Sequence, residues 1–264
     1  MSQLAIVWRK EMYEAWKNRR YIWLPLVFIL IGVMEPVSTH FMPQILKMSG
    51  GLPPGTMIQI PTPSAASVFA KAEAQYSTLG LLVLVLAFMG SVSNERQHGV
   101  LELVMVKPVS YTAYVMAKWL AAGTLTFTAL LLGDIASWYY TVQLIGRLAL
   151  GPVLVSAVVY GLWLMLIVTL SMFFSIVFNS TSANAFISLV VAVILSVVAG
   201  VLKWQWSPGA LPTHATDLVL QVDAKAGANT FSPSDMTFSI AVTAIIIVLL
   251  IVSSIGWFKR RTFA

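Results

Sequence analysis

Residues 94–110 read NERQHGVLELVMVKPVS, a polar stretch set between two long apolar runs. Ser93 and Asn94 are candidate N-caps of a helix. Glu95 follows in the first turn, where the helix dipole favours a carboxylate, and Pro108 ends the segment. The pattern predicts an amphipathic helix that is too short to cross a bilayer and lies flat on its surface. Its apolar face is formed by Val100, Leu101, Val104 and Met105.

The composition of the whole chain indicates a membrane protein. Apolar residues make up 58% of the 264 residues and charged residues only 10%, whereas roughly a quarter of an ordinary soluble domain is charged. Apolar runs long enough to cross a bilayer occupy most of the length, which leaves no room for a catalytic soluble domain. The chain has no cysteine, so disulfides and thiolate metal sites are excluded.

The basic residues indicate an orientation in the membrane rather than a nucleic-acid partner. The formal net charge is +6, but the lysines and arginines flank apolar segments instead of gathering on a polar face with aromatic residues between them. In membrane proteins these residues concentrate on the cytoplasmic side. With both termini inside, eleven of the 16 lysines and arginines are cytoplasmic. This asymmetry predicts an even number of spans and a cytoplasmic position for residues 94–110.

The periodicity of the apolar residues predicts a single all-α transmembrane domain covering residues 1–264. Residues 2–20 combine tryptophans at helical spacing with charged neighbours, which predicts an interfacial amphipathic helix. Two segments rich in turn formers, 40–76 and 203–235, are predicted to be extracytoplasmic loops, the first with little regular structure. The six predicted spans are 21–39, 77–93, 117–140, 148–178, 183–202 and 236–258.

The stretch at 94–110 resembles the first cytoplasmic loop of the type-2 ATP-binding-cassette (ABC) exporter permeases. The resemblance rests on a Glu-Arg pair, a glycine, a Leu-Glu pair, a Pro-Val-Ser motif and a lysine further on. Val100 departs from the pattern, because the family usually has threonine there. In topology the resemblance extends over nearly the whole chain. The matching residues are Glu95, Arg96, Gly99, Leu101, Glu102, Pro108, Val109, Ser110 and Lys118.

The resemblance implies the permease subunit of an exporter in the cytoplasmic membrane. In that family the loop is a coupling helix that docks on a separate ATPase, with its apolar face anchored to the bundle and its charged face towards the ATPase. An ordinary capped loop of any polytopic protein is the alternative interpretation of the same motif. The implied coupling residues are Glu95, Arg96, Gly99, Leu101, Glu102 and Pro108.

The same resemblance implies the partners. Two copies of the ABC ATPase would work with two permeases, identical or related, by alternating access within membrane lipid. ATP and magnesium would bind to the ATPase, because this chain has no G-x-x-x-x-G-K-[ST] phosphate-binding loop. We therefore expect no cofactor, no metal and no catalytic residue on this chain.

The fifth predicted span carries small residues at every fourth position. Such spacing lets helices approach closely. The small residues either pack within one bundle or face a dimer axis beside the substrate path, as the resemblance implies. In the second case Phe88 and Met89 would face them near the inner end. The small residues are Asn184, Ser188, Ala192, Ser196 and Gly200.

Asp134 is the one acid well inside a predicted span. Such a group is a candidate proton relay, substrate contact or catalytic acid, unless it is a structural residue hydrogen-bonded by Ser137 or a neighbouring span. No second acid at matching depth is evident, as an aspartyl protease would require. A membrane-embedded enzyme centred on Asp134 and a non-transporting scaffold are the alternative functions. His40, His98 and His214 are too far apart in sequence for a local metal motif.

Overall fold

The computed structural model describes residues 3–48, 63–105, 110–221 and 232–262. Within these ranges every regular element is a helix, which confirms the predicted all-α fold. The α-helices are α1 (Gln3–Lys17), α2 (Arg20–Met48), α3 (Ala65–Gln75), α4 (Leu81–Phe88), α5 (Ser93–Gln97), α6 (Val100–Met105), α7 (Tyr111–Leu144), α8 (Leu150–Val177), α9 (Thr181–Val201), α10 (Leu211–Leu220) and α11 (Pro233–Thr262).

Six helical segments in these ranges are long and apolar enough to cross a membrane. The second of them combines α3, a π-helical segment at Tyr76–Gly80, α4 and α5. Together with the composition, these segments make the chain a multi-pass membrane protein. The segments are Arg20–Ile45, Ala65–Gln97, Tyr111–Leu144, Leu150–Val177, Thr181–Val201 and Pro233–Arg260.

Residues 40–76 are expected from the sequence to form a loop. Within the described residues they are helical, except for residues 63–64 just before α3. Helix α2 continues to Met48 although Pro43 lies within it. Helix α3 begins after Ser64, whose side chain accepts a hydrogen bond from the amide of Ser67 at 3.2 Å. This N-cap and the alanine-rich sequence that follows explain the helix. The expectation of little regular structure is therefore wrong for these residues.

The second predicted outer loop, 203–235, also contains a helix. A 3₁₀ turn at Pro208–Ala210 leads directly into α10, and Pro212 occupies the first turn of α10. Proline is tolerated there because the amide that it lacks has no partner within the helix. Helix α10 packs against α3 and α8. The remaining parts of the two loops, 49–62 and 222–231, lie outside the described residues.

Helix α8 is the centre of the bundle. Its Tyr160 and Trp163 side chains are completely buried. Helices α2 and α7 cross at Gly32 and Gly133, where an added Cβ would come within 2.5 Å of the Tyr76 hydroxyl oxygen. Helices α9 and α11 lie at the periphery and expose most of their apolar surface. That surface is suited to lipid or to another membrane protein.

Helix α1 packs along α7 at the end of the bundle that carries α5 and α6. Val7 is buried in a cluster with Leu101, whereas Ile6, Tyr13 and Trp16 are exposed. Exposed apolar side chains on a helix that also carries charged residues are typical of a helix at a membrane interface.

Candidate functional site

Residues 93–105 form two short helices instead of the single helix that the sequence predicts. Helix α5 ends at Gln97, and the chain then turns at Gly99, whose φ of +71° lies in the left-handed region that glycine adopts at little cost. Gly99 therefore sets the angle between α5 and α6. The side chain of Glu102 and all of Pro108 lie outside the described part of the structure, so their coupling roles stay predictions.

The first amides of α5 are capped from another helix, so the N-caps expected at Ser93 and Asn94 are wrong. The hydroxyl oxygen of Ser175, on α8, accepts hydrogen bonds from the amides of Val92 and Ser93, each at 2.9 Å. The Asn94 side chain instead accepts a hydrogen bond from the Thr181 hydroxyl at 3.0 Å. The expected caps do not form because the turn between α4 and α5 presents these amides to α8.

Glu95 points into the bundle and joins a network of ion pairs. Its Oε1 lies 2.8 Å from Nζ of Lys118 on α7 and 3.0 Å from Nζ of Lys10 on α1. Its Oε2 accepts a hydrogen bond from the Tyr114 hydroxyl. Lys118 Nζ also lies 2.9 Å from Glu11 Oε2. Glu95 therefore ties α5 to α1 and α7, and its side chain points away from the exposed side of the loop.

This Glu95 network, defined as Lys10, Glu11, Glu95, Tyr114 and Lys118, balances its charges within the protein. The Lys118 side chain is only 3% exposed, and an unpaired ammonium at such a position would be costly. Burial disfavours the charged form of Lys10, but the carboxylates of Glu11 and Glu95 outweigh burial and raise the pKa of Lys10 well above its ordinary value. Lys10 therefore stays charged at physiological pH and keeps its ion pairs.

The carboxylates of this region do not require a metal ion. Oxygens of Glu11, Glu14 and Glu95 lie within 4.8 Å of one another. Lys10 bridges all three, at 3.0 Å from Glu11 and Glu95 and 3.1 Å from Glu14. Lys118 adds a second positive charge at Glu11 and Glu95. The two ammonium groups supply the countercharge that a cation would otherwise provide.

A small cavity of ≈ 30 Å³ lies beside the Glu95 network. A cavity of this volume can hold a single water molecule. Its wall includes Glu11, Glu14, Arg20 and Lys118, together with Phe88. Phe88 therefore borders α1 and α7, and its position facing the small residues of the fifth span stays a prediction.

Arg96 and Gln97 fasten α5 to the link between α8 and α9. The Arg96 guanidinium donates hydrogen bonds to Asn179 Oδ1 at 3.0 Å and to the Ile176 carbonyl oxygen at 3.1 Å. Gln97 Nε2 donates to the Asn179 carbonyl oxygen at 2.5 Å. Arg96 therefore connects the loop to α8 and to this link, and Gln97 connects it to the link.

Helix α6 has one buried and one exposed apolar side. Leu101 is 7% exposed and belongs to a buried cluster with Tyr114 and Phe258. Leu103 is 71% exposed, and Val100 is exposed as well. The helix is thus anchored to the bundle through Leu101 and presents Val100 and Leu103 outwards.

The first small residues of α9 are buried within the chain. The Asn184 side-chain amide donates a hydrogen bond to the carbonyl oxygen of Met89, so Met89 does lie beside this row. Ser188 and Ala192 are fully buried within the chain. In this conformation they cannot face a second copy, because their side chains are already packed within this chain. The accessible members of the row are Ser196 and Gly200.

Asp134 is buried, and neither carboxyl oxygen has a hydrogen-bond partner among the described residues. The expected hydrogen bond from Ser137 is absent, since the Ser137 hydroxyl is also without a partner there. A second acid, Glu73, is buried on α3, which packs against α7. Sequence reasoning missed Glu73 because it assigned that residue to an outer loop.

Sequence reasoning also missed the contribution of α1 to the Glu95 network. Lys10 and Glu95 are separated by 85 positions, and no local spacing connects them. The available signal was Lys118, which belongs to the loop motif although it lies within an apolar run. A lysine in that setting requires an acidic partner.

Two comparisons with known proteins bear on this arrangement. Residues 5–262 match a family described as ABC-2 family transporter protein. The chain is also similar to the uncharacterized transmembrane protein YxlG of Bacillus subtilis (strain 168), with 32% identity over 262 residues. That alignment covers 98% of each of the two chains.

Proposed function

Because this chain belongs to the ABC-2 family of transporter permeases, we propose that it is the membrane subunit of an ATP-driven exporter and that its ATPase docks on the exposed side of α5 and α6. The observation that carries the proposal is the two-sided character of this loop. One side is fixed to several spans by buried contacts, and the other presents Leu103 and Val100 to the surroundings.

The inner side of the loop is suited to transmitting force. Glu95 connects it to α7 through Lys118, and Arg96 connects it to the link between α8 and α9 through Asn179. Ser175 holds the entry to α5 from α8. A displacement of the loop would therefore move α7, α8 and the start of α9 together. Such concerted movement is what alternating access requires.

The outer side of the loop is suited to contact with another protein. Leu103 is a large apolar side chain with most of its surface exposed, and apolar anchors of this kind contribute much of the binding energy in protein interfaces. We propose two ATPase copies, each with ATP and magnesium, on a pair of permeases. Glu102 and Pro108 would belong to the same surface by their positions in the sequence.

Single cysteines in this cysteine-free chain test the docking site. With a thiol-attached photo-cross-linker at Leu103→Cys, we expect irradiation of the purified complex to join the permease to the ATPase subunit. Phe186→Cys is the matched control, because Phe186 is also apolar and 68% exposed but lies on a membrane span. The readout is the mass of the adduct. An intact complex that gives an ATPase adduct from neither site, or equally from both, would contradict the proposed docking surface.

The proposed orientation places both termini and the loop in the cytoplasm. Gln97→Cys and Arg147→Cys test this orientation, because both residues are exposed. Gln97 lies before the start of α7, and Arg147 lies just after its end. We expect a membrane-impermeant maleimide to label position 147 on intact cells, and position 97 only after the membrane is opened. Labelling of position 97 on intact cells would rule out cytoplasmic docking.

A further inference from the structure

Two buried carboxyl groups lie on α3 and α7, two helices that pack against each other. Glu73 is 1% exposed and Asp134 is 2% exposed. Tyr76 lies one helical turn beyond Glu73, and its hydroxyl oxygen reaches the backbone at Gly133, the neighbour of Asp134. The rings of Tyr76 and Tyr160 lie in edge-to-face contact with centroids 6.1 Å apart. These four residues form one polar cluster, the acid-pair cluster, within the apolar bundle.

The contacts of Glu73 favour a proton on its carboxyl group. Ser156 Oγ lies 2.6 and 2.7 Å from the two carboxyl oxygens of Glu73 and 2.8 Å from the carbonyl oxygen of Ala215. A serine hydroxyl has one hydrogen to donate, but an ionised Glu73 would present it with three acceptor atoms. A protonated Glu73 can donate to Ser156, which then donates to Ala215. Both the glutamate and the backbone carbonyl are then satisfied.

Asp134 also lacks the partners that an ionised carboxylate needs. Neither of its oxygens has a hydrogen-bond partner among the described residues, and the salt bridges found there include neither Asp134 nor Glu73. Burying an unpaired charge costs far more than burying the neutral acid. Two ionised acids on these packed helices would in addition repel each other. The neutral form is therefore the one that fits this environment.

Among the described residues, the titratable groups on the neighbouring helices make no ion pair with either acid. Helix α8 has no charged residue. On α10, burial raises the pKa of Asp217 although nearby His214 lowers it, and His214 Nε2 is within 2.7 Å of a backbone carbonyl oxygen. On α2, Glu35 accepts a hydrogen bond from a glutamine side chain. Lys71, on α3 itself, is exposed.

We propose that Glu73 and Asp134 form an occluded proton-binding site, with one proton on each carboxyl group in this conformation. The two protons are enclosed by α3, α7 and α8 and by the tyrosines of the acid-pair cluster. A conformation that separates these helices and hydrates the acids would release protons to water. The conformational equilibrium of the permease would then depend on pH, whatever drives its transport cycle.

The test is infrared spectroscopy of the purified permease alone in liposomes. At neutral pH we expect a carbonyl stretching band of protonated carboxylic acid that shifts slowly in D₂O. Glu73→Gln and Asp134→Asn should each remove one component of this band, and the double variant should remove both. Glu35→Gln is the control, because this third acid at the same end of the bundle is partly exposed, and the band should survive it.

Either of two results would overturn the proposed proton-binding site. The first is the absence of a protonated-acid band from the wild-type protein at neutral pH, a measurement that needs no variant to fold. The second is loss of the band on addition of Na⁺ at constant pH, which would make the occupant a metal cation instead of protons. Neither outcome depends on whether an ATPase docks on α6.

Discussion

Lys118→Met is expected to destabilise the permease by about 3–5 kcal/mol, the usual cost of removing one partner from a buried ion pair. Lys118 Nζ lies within 3 Å of both Glu11 and Glu95. Methionine keeps much of the apolar volume of the lysine side chain but leaves two carboxylates with Lys10 as their remaining cation. Repulsion between them should loosen α1 and α5 from α7. The measurement is thermal unfolding of the purified protein in detergent.

Lys10→Met is the matched control, because Lys10 belongs to the same network but its side chain is 40% exposed. Because its ammonium group is partly solvated, its ion pairs contribute less than fully buried ones, so this variant should lose less stability than Lys118→Met. The double variant Lys118→Met with Glu95→Gln should recover part of the loss, because it removes a negative charge as well. If Lys118→Met is as stable as Lys10→Met, the Glu95 network does not hold the loop to the bundle.

Leu101→Asp and Leu103→Asp are expected to have opposite consequences although they make the same change two residues apart. Leu101 is buried with Tyr114 and Phe258, so a carboxylate there would be buried without a partner at a cost of several kcal/mol. We expect Leu101→Asp to lower the yield and the unfolding temperature of the permease. Leu103 is exposed, so Leu103→Asp should leave both unchanged.

The functional measurements should separate the two variants in the reverse sense. Leu103→Asp should fold but lose most of the ATPase subunit during co-purification, because it places a charge in the proposed apolar contact. ATP hydrolysis in liposomes should then no longer respond to the permease. A Leu103→Asp variant that recovers the ATPase at the wild-type level would refute the docking surface on α6. A stable Leu101→Asp would refute the anchoring of α6 to the bundle.

The outer segments show where sequence reasoning reached its limit. The proline and glycine residues of 40–76 and 203–235 indicate loops, but α3 and α10 form within them because each has a favourable start and packs against the bundle. Local turn propensity is weak compared with burial of an apolar face. Glu73 is a second buried acid near Asp134 because α3 is a helix that packs against α7.

The sequence alone determined that this is an all-α membrane protein with six apolar segments, and its loop motif was sufficient to indicate the family. Hydropathy and segment length decide these properties, because a bilayer admits few ways to satisfy the backbone. The tertiary structure decided the direction in which charged residues point. Glu95 turns inwards because Lys118 and Lys10 pair with it there. Glu73 and Asp134 are both buried because α3 and α7, which are distant in sequence, pack together. Such pairings depend on long-range contacts, which neither periodicity nor spacing encodes.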